Sequence, residues 1–135
     1  MPLFFFIHGA SHKDKFYSSD KVIYDYKVRA IGSSISLDRF YLNVDPVTVI
    51  KDLIENSKPN KKEKTIFIWP EGILPDISQK ELVEYNWLFN DKFSENHLLV
   101  VGINSEKNEK EAIKYYNSLS IYDHNLNLLH FYNKI

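Results

Sequence analysis

Two short and nearly continuous apolar runs constrain the fold of this chain more than any other feature. The first is Thr65-Ile66-Phe67-Ile68-Trp69, and the second extends from His97 to Ile103. Both are rich in β-branched, aromatic and aliphatic residues, a pattern typical of strands that are buried on both faces of a parallel sheet. The sequence therefore predicts a layered α/β arrangement with these two strands at its centre.

Two helices are predicted around these strands. Asp45 to Ser57 has an Asp at the N-cap, Pro46 at the first helical position and apolar residues at helical spacing, and it ends before Pro59. A second helix, of about 15 residues, is predicted from a capping box formed by Ser78 and Glu81 and from an apolar face that continues to Phe93.

The remaining elements are shorter. A strand is predicted at Val28 to Ile31, a mobile charged loop at Asn104 to Lys114, and a hairpin of two strands, Tyr115 to Tyr122 and Leu128 to Tyr132, around the turn Asp123 to Asn127. The order is then strand, helix, strand, helix, strand and hairpin. Parallel crossovers in such an order are right-handed.

Both ends suggest a piece of a longer protein. Leu3 to Ile7 is apolar but far shorter than the roughly 20 residues of a membrane-spanning helix, and it resembles the end of a longer segment. After the last strand no helix follows that covers the second face of the sheet. We therefore expect a membrane-helix remnant and linker at residues 1–27, a truncated domain at residues 28–135, and an exposed apolar patch that favours poor solubility or oligomerisation.

Charge and cysteine content exclude several functions. Seventeen Lys and Arg residues against eighteen Asp and Glu residues give a formal charge of -1, so nucleic acid is not an expected partner. The chain has no cysteine. Disulfide frameworks, thiolate zinc sites and any cysteine-nucleophile mechanism in which this chain works alone are thereby excluded.

Glu71 is the strongest candidate for chemistry. It lies in Trp69-Pro70-Glu71-Gly72-Ile73-Leu74-Pro75, directly after a predicted buried strand, and ligands of open α/β sheets bind at that edge. Apolar neighbours are expected to desolvate the carboxylate and raise its pKa, which suits a general base near neutral pH. The alternative is an exposed glutamate in a turn.

Several segments, in this order along the chain, resemble the first half of the nitrilase-type (carbon-nitrogen hydrolase) domain of apolipoprotein N-acyltransferases. The resemblance covers roughly Tyr26 to Ile135, and Leu3 to Gly9 is similar to the end of the membrane helix that precedes this domain in the family. It implies a partial nitrilase-like α-β-β-α sandwich, about half of the domain. The segments are Trp69 to Pro75, the strand ending in Val101-Gly102, Tyr115-Tyr116-Asn117-Ser118-Leu119, and Tyr132-Asn133-Lys134.

The resemblance also implies a Glu-Lys-Cys site, with no cofactor and no metal. Glu71 matches the glutamate that takes a proton from a cysteine thiol, and Lys134 matches the lysine whose ammonium stabilises the oxyanion of the tetrahedral intermediate. In the family the thiolate takes an acyl chain from phospholipid and passes it to the N-terminal cysteine of a lipoprotein, at the periplasmic face of the bacterial inner membrane. The partners expected from this resemblance are phospholipid, lipoprotein and a separately encoded C-terminal half.

The missing cysteine limits this interpretation. Without its nucleophile a covalent catalytic unit loses nearly all activity, so the chain alone is expected to be inactive. Two alternatives stay open: a non-catalytic α/β binding or assembly protein that pairs its unfinished sheet with a partner, and a fragment of a soluble nitrilase or amidase.

Other candidate sites are weaker. His8 and His12 are four residues apart but lack helical periodicity and carboxylate support for zinc. His124 and His130 are expected to face solvent or to form hydrogen bonds. Gly32-Ser33-Ser34 lacks the spaced glycines of a phosphate-binding loop.

Overall fold

Five strands form one mixed sheet, whose spatial order follows the order along the chain. The computed structural model describes residues 24–32, 44–109 and 112–134, together with residues 12, 13, 15, 17 and 18. The first three strands are parallel, and the last two are antiparallel to their neighbours. This confirms the predicted α/β class. The strands are β1 (Lys27–Ala30), β2 (Thr65–Ile68), β3 (His97–Glu109), β4 (Ala112–Tyr122) and β5 (Leu128–Asn133).

The α-helix α1 (Pro46–Ser57) lies between β1 and β2 along the chain and forms as its sequence predicts. The Asp45 carboxylate accepts the backbone N–H of Val47 at 3.1 Å, so the predicted N-cap is present. The helix ends at Lys58, which adopts the left-handed conformation with a φ of 44°.

The second predicted helix is a 3₁₀ helix, Glu81–Leu88, and the prediction of an α-helix of about 15 residues was wrong. Its capping box does form, because the Ser78 backbone N–H donates to Glu81 Oε2 at 2.7 Å. Leu82, Tyr85 and Leu88 are three residues apart, which places them on one side of a 3₁₀ helix. The sequence analysis had interpreted this spacing of three residues as part of an α-helical repeat.

The predicted mobile loop from Asn104 to Lys114 is also different in the structure. Its described residues belong to β3 and β4, which pair from Leu99↔Tyr122 to Glu109↔Ala112. Pairing between the two strands satisfies the backbone N–H and C=O groups of this charged segment, so it can form strands without burying its side chains in the core. The polar composition reflects an exposed ribbon rather than a loop.

The core lies on the face of the sheet that α1 and the 3₁₀ helix cover. Leu53 of α1, Phe67 of β2 and Leu82 of the 3₁₀ helix are fully buried. Phe67 also makes edge-on ring contacts with Phe93 and His97. The remaining core residues with the greatest burial are Ile50, Ile73, Phe89, Val101, Tyr122 and Leu126.

The opposite face of the sheet is apolar but exposed. We define the apolar face by Val28, Ile68, Leu119 and Tyr132, whose exposed fractions are 65, 37, 42 and 59%. The strand register places these side chains on the same side, since Ile68 pairs with Val100 and Leu119 pairs with Tyr132. The apolar patch expected from the sequence is therefore present.

The amino-terminal arm is only partly described. Its five described residues are helical and exposed, while Leu3 to Ile7 lie outside the described residues. In the part of the chain that is described, no helix is sufficiently long and apolar to cross a membrane. The domain boundary between residues 27 and 28 stays a prediction.

Candidate functional site

Glu71 is held at the carboxyl end of β2 by an anchored tryptophan. The Trp69 side chain is buried, and its indole N–H donates to Ser57 Oγ at 3.0 Å, while its backbone N–H donates to Val100 at 2.8 Å. Gly72 has a φ of +64°, a left-handed conformation that glycine adopts without steric cost. The chain therefore turns sharply just after Glu71 and leaves its side chain at the sheet edge.

Lys134 reaches the same point from β5. Its ammonium lies 2.6 Å from Glu71 Oε1, and the Asn117 side-chain amide donates to that oxygen at 2.8 Å. The Lys134 backbone N–H also donates to the Asn117 carbonyl at 2.8 Å, which continues the ladder between β4 and β5. The structure thus brings together the two residues singled out in the sequence, although their catalytic roles stay a prediction.

Gly102 of β3 makes the close approach of Glu71 possible. A Cβ at residue 102 would lie 3.1 Å from the Cα, Cβ and Cγ atoms of Glu71, which is tighter than most Cβ contacts in proteins. Gly102 pairs with Leu119, so it lies on the apolar face directly beneath the glutamate. A side chain at this position therefore requires Glu71 to shift slightly.

The pKa of Glu71 differs from the sequence-based expectation. Hydrogen bonds from Lys134 and Asn117, and the charge of Lys134, hold the pKa of the carboxyl below its ordinary value. Its side chain is 55% exposed and that of Lys134 is 48% exposed. The prediction of a raised pKa was wrong because Trp69 and the neighbouring apolar residues turn into the core and leave the carboxylate in contact with water and a cation.

The Glu71–Lys134 contact borders an open depression of about 340 Å³. Most of the depression is apolar, and it opens onto the apolar face defined above. The contacts from Lys134 and Asn117 are both made to Oε1 of Glu71. The other lining residues are Ala30, Ile31, Ile68, Trp69, Pro70, Gly102, Ser118 and Leu119.

This arrangement can perform acid–base chemistry beside an apolar surface. An ionised carboxylate can accept a proton, and an ammonium fixed nearby can stabilise a developing oxyanion. No group of metal-ligating side chains occurs among the described residues.

The histidines do not join this site. His124 lies in the turn before β5 and His130 is an exposed residue of β5, while His8 lies outside the described residues. His12 is described as a helical residue of the arm.

Asn117 is the site residue that the sequence analysis missed. It was noted as part of Tyr115-Tyr116-Asn117-Ser118-Leu119 but was given no role. Strand alternation places Asn117 on the same face as Leu119, and this was the available signal. Its proximity to Glu71 depends on the sheet order, which the sequence does not specify.

Comparisons with known proteins return structural likenesses alone. No protein-family model and no curated protein matches the chain. Two solved structures of N-terminal amidase are similar to it. One, determined with an Asn-Glu-Ala peptide, is 16% identical with a TM-score of 0.47 over 79% of this chain and 27% of that one. The other is 18% identical with a TM-score of 0.36 over 64% and 22%. The chain spans about a quarter of their length.

Proposed function

We propose that the chain supplies the glutamate and the lysine of a nitrilase-type Glu-Lys-Cys site, and that the cysteine comes from polypeptide outside these 135 residues. The observation that carries this proposal is the 2.6 Å contact between Glu71 and Lys134, which are far apart in the sequence and come from the ends of different strands. The contact lies at the carboxyl edge of parallel strands, where α/β proteins bind their ligands.

The chemistry of the proposed site balances without a cofactor. Glu71 takes the proton of the cysteine thiol, and the thiolate attacks the carbonyl carbon of an acyl ester. Lys134 stabilises the oxyanion, after which the C–O bond breaks and the alcohol leaves with the proton held by Glu71. An amine then attacks the thioester and gives up a proton to Glu71, the C–S bond breaks as the amide forms, and the sulfur leaves as a thiol with that proton.

For the substrate class we propose that of apolipoprotein N-acyltransferases, with phospholipid as acyl donor and a lipoprotein amine as acceptor. This finer proposal is supported by the Trp69 to Pro75 segment together with Tyr115 to Leu119. An apolar depression beside the carboxylate suits an acyl chain. The corresponding location is the periplasmic face of the bacterial inner membrane.

The apolar face is the surface to which we assign a partner polypeptide. Leu119 and Tyr132 expose large apolar surface next to the depression that contains Glu71 and Lys134. A polypeptide that covers this face therefore also closes the site, which is where a cysteine must lie to reach Glu71. We assign this face to the separately encoded C-terminal half.

A second candidate function is a non-catalytic binding protein that uses the same face. It is favoured by the exposure of the Glu71 and Lys134 side chains, since active-site charges are usually less accessible to water. Under this interpretation a partner binds the apolar face but brings no cysteine. A fragment of a soluble amidase is the remaining alternative, and its acyl acceptor is water.

The test is co-expression of the chain with the polypeptide encoded directly downstream. Acyl transfer to a lipoprotein amine is measured for the wild type, for Glu71→Gln and for Lys134→Met. Glu63→Gln and Lys27→Met are the matched controls, because Glu63 and Lys27 form a similar contact of 2.9 Å outside the site. We expect activity in the wild-type pair and in both controls, and a loss of at least about 1,000-fold in both site variants.

Four results would contradict parts of this proposal. Association without acyl transfer favours the binding protein, and amide hydrolysis without transfer favours the amidase. Acyl transfer that survives Glu71→Gln would remove the proposed base altogether. Acyl transfer by the purified chain alone would exclude the requirement for an external cysteine.

A further inference from the structure

A cluster of three polar side chains lies beneath the sheet, on the face opposite the Glu71–Lys134 contact. Ser105 of β3 and Ser118 of β4 are buried, and their hydroxyl oxygens are 2.7 Å apart. Ser118 Oγ donates to Asn133 Oδ1 at 2.6 Å, and Ser105 Oγ lies 3.0 Å from the same oxygen. Two buried hydroxyls from two strands therefore hold the amide of a third.

We propose that Asn133 is a positioning residue that directs Lys134 toward Glu71. Its significance for catalysis rests on the function proposed above. Successive side chains of a strand point to opposite faces, so an Asn133 side chain fixed beneath the sheet places the Lys134 side chain on the other face, where Glu71 lies. The backbone hydrogen bond from Lys134 to Asn117 completes this placement.

Other contacts of β5 do not fix Lys134 in this way. β5 is an edge strand, and its residues from Leu128 to Tyr132 are exposed, while Asn133 alone is partly buried. The pairing between β4 and β5 also shifts between Ile121 and Tyr122, so the ladder is irregular at the far end. The last residues of an edge strand tend to fray unless a side chain anchors them.

The hydrogen bonds of Ser105 and Ser118 also require the Asn133 side chain. Each hydroxyl carries a single proton, and the Asn133 amide oxygen can accept two hydrogen bonds. Without this oxygen, Ser105 can still donate to Ser118, but Ser118 retains only the Tyr116 carbonyl, at 3.5 Å, as an acceptor, so the local structure is expected to rearrange. The cluster thus couples the buried face of the sheet to the orientation of a surface lysine.

The experiment measures the pKa of the Glu71 carboxyl by NMR titration of the full chain. Lys134→Met defines the shift produced by complete loss of the lysine. We expect Asn133→Leu, which retains Lys134, to raise the pKa of Glu71 toward its ordinary value by most of that shift. We expect Ser105→Ala, which leaves Ser118 as a donor to Asn133, to produce a smaller shift in the same direction.

His97→Phe is the matched control. His97 is a buried residue at the amino end of β3 and forms hydrogen bonds with Ser94 and Asn60, so its loss lowers stability without removing a bond of the Ser105–Ser118–Asn133 cluster. We expect the pKa of Glu71 to stay at the wild-type value in this variant. A similar shift in His97→Phe and Asn133→Leu would mean that the effect is only a loss of stability.

Retention of the wild-type pKa of Glu71 in Asn133→Leu, with a shift in Lys134→Met, would overturn the positioning role. If Asn133→Leu does not fold, the same comparison is made with Ser105→Ala, and an unchanged pKa in that variant likewise overturns it. Failure of the proposed function gives a different pattern, in which the pKa responses are as expected and the co-expressed pair transfers no acyl group.

Discussion

Two glutamate–lysine contacts lie at opposite ends of β2. At the amino end, Lys27 contacts Glu63 at 2.9 Å, and at the carboxyl end Lys134 contacts Glu71 at 2.6 Å. In both contacts the lysine lowers the pKa of the carboxyl, mainly through a hydrogen bond. Distance and pKa alone therefore do not distinguish them.

Their surroundings do distinguish them. Glu63 and Lys27 come from adjacent ends of neighbouring strands, a common arrangement for a surface ion pair. The Asn117 hydrogen bond to Glu71 is the second-largest cause of its lowered pKa, whereas the Asn60 hydrogen bond to Glu63 is the smallest cause there. Glu71 also lies against Gly102, a residue that allows the close approach. The comparison indicates that a candidate site is recognised by the residues that support it rather than by the ion pair itself.

The largest expected effect concerns the core anchor of the carboxyl end. Trp69→Ala removes a buried aromatic side chain two residues before Glu71 and is expected to lower the free energy of unfolding by about 3–5 kcal/mol. Trp87→Ala is the control, because Trp87 is 60% exposed and its loss is expected to change stability by less than about 0.5 kcal/mol. Urea denaturation measures both, and equal effects would contradict the described core.

Gly102→Val tests the close approach of Glu71. Overpacking against the backbone of Glu71 is expected to lower the free energy of unfolding by about 1–3 kcal/mol. It should also raise the pKa of Glu71 and leave that of Glu63 unchanged, as measured by NMR titration. Ala30→Val, at an exposed position of the same face, is the control. An unchanged pKa of Glu71 in Gly102→Val would show that glycine is not required there.

At the amino end of β3, His97 is expected to make the stability of the fold depend on pH. Nδ1 accepts the Ser94 backbone N–H at 3.1 Å and the Nε2–H group donates to the Asn60 carbonyl at 3.0 Å, so the ring is neutral. Burial lowers the pKa of His97, and the charges of His124 and Lys61 act in the same direction. Protonation therefore favours the unfolded chain.

This predicts a loss of stability as the pH falls below about 6.5, the ordinary pKa of histidine, toward the lowered pKa of the folded state. Urea denaturation across this range measures the slope. His97→Phe should remove it, and persistence of the slope in that variant would assign it to another group.

The smallest effect is the pH dependence of the two carboxylates. A lowered pKa in the folded state contributes stability that is present above the ordinary value of 4.5 and is lost as the pH falls through the folded pKa. Lys134→Met is expected to reduce this acid-dependent loss through Glu71, and Lys27→Met through Glu63. Both effects should shrink at high salt because the groups are exposed. Denaturation below pH 5 without any change in either variant would contradict these pKa directions.

Much of the fold could be predicted from local sequence. Asp45 and Pro46 predicted the start of α1, and the apolar run from Thr65 predicted β2, because caps and β-branched runs act over a few residues. The 3₁₀ helix and the long β3–β4 ribbon could not be predicted in the same way. A spacing of three fits two helix types, and charged residues from Asn104 onward form strands only because their partners pair with them.

For the candidate site, the sequence by itself determined the residue types and their order: a glutamate after a buried strand, a lysine after the last strand, and no cysteine among these 135 residues. Only the tertiary structure decided that Glu71 contacts Lys134, that Asn117 joins them, and that the carboxylate stays exposed with a lowered pKa. The physical reason is that residue chemistry is a local property, whereas distance and solvation depend on the order of strands in the sheet and on which side chains turn into the core.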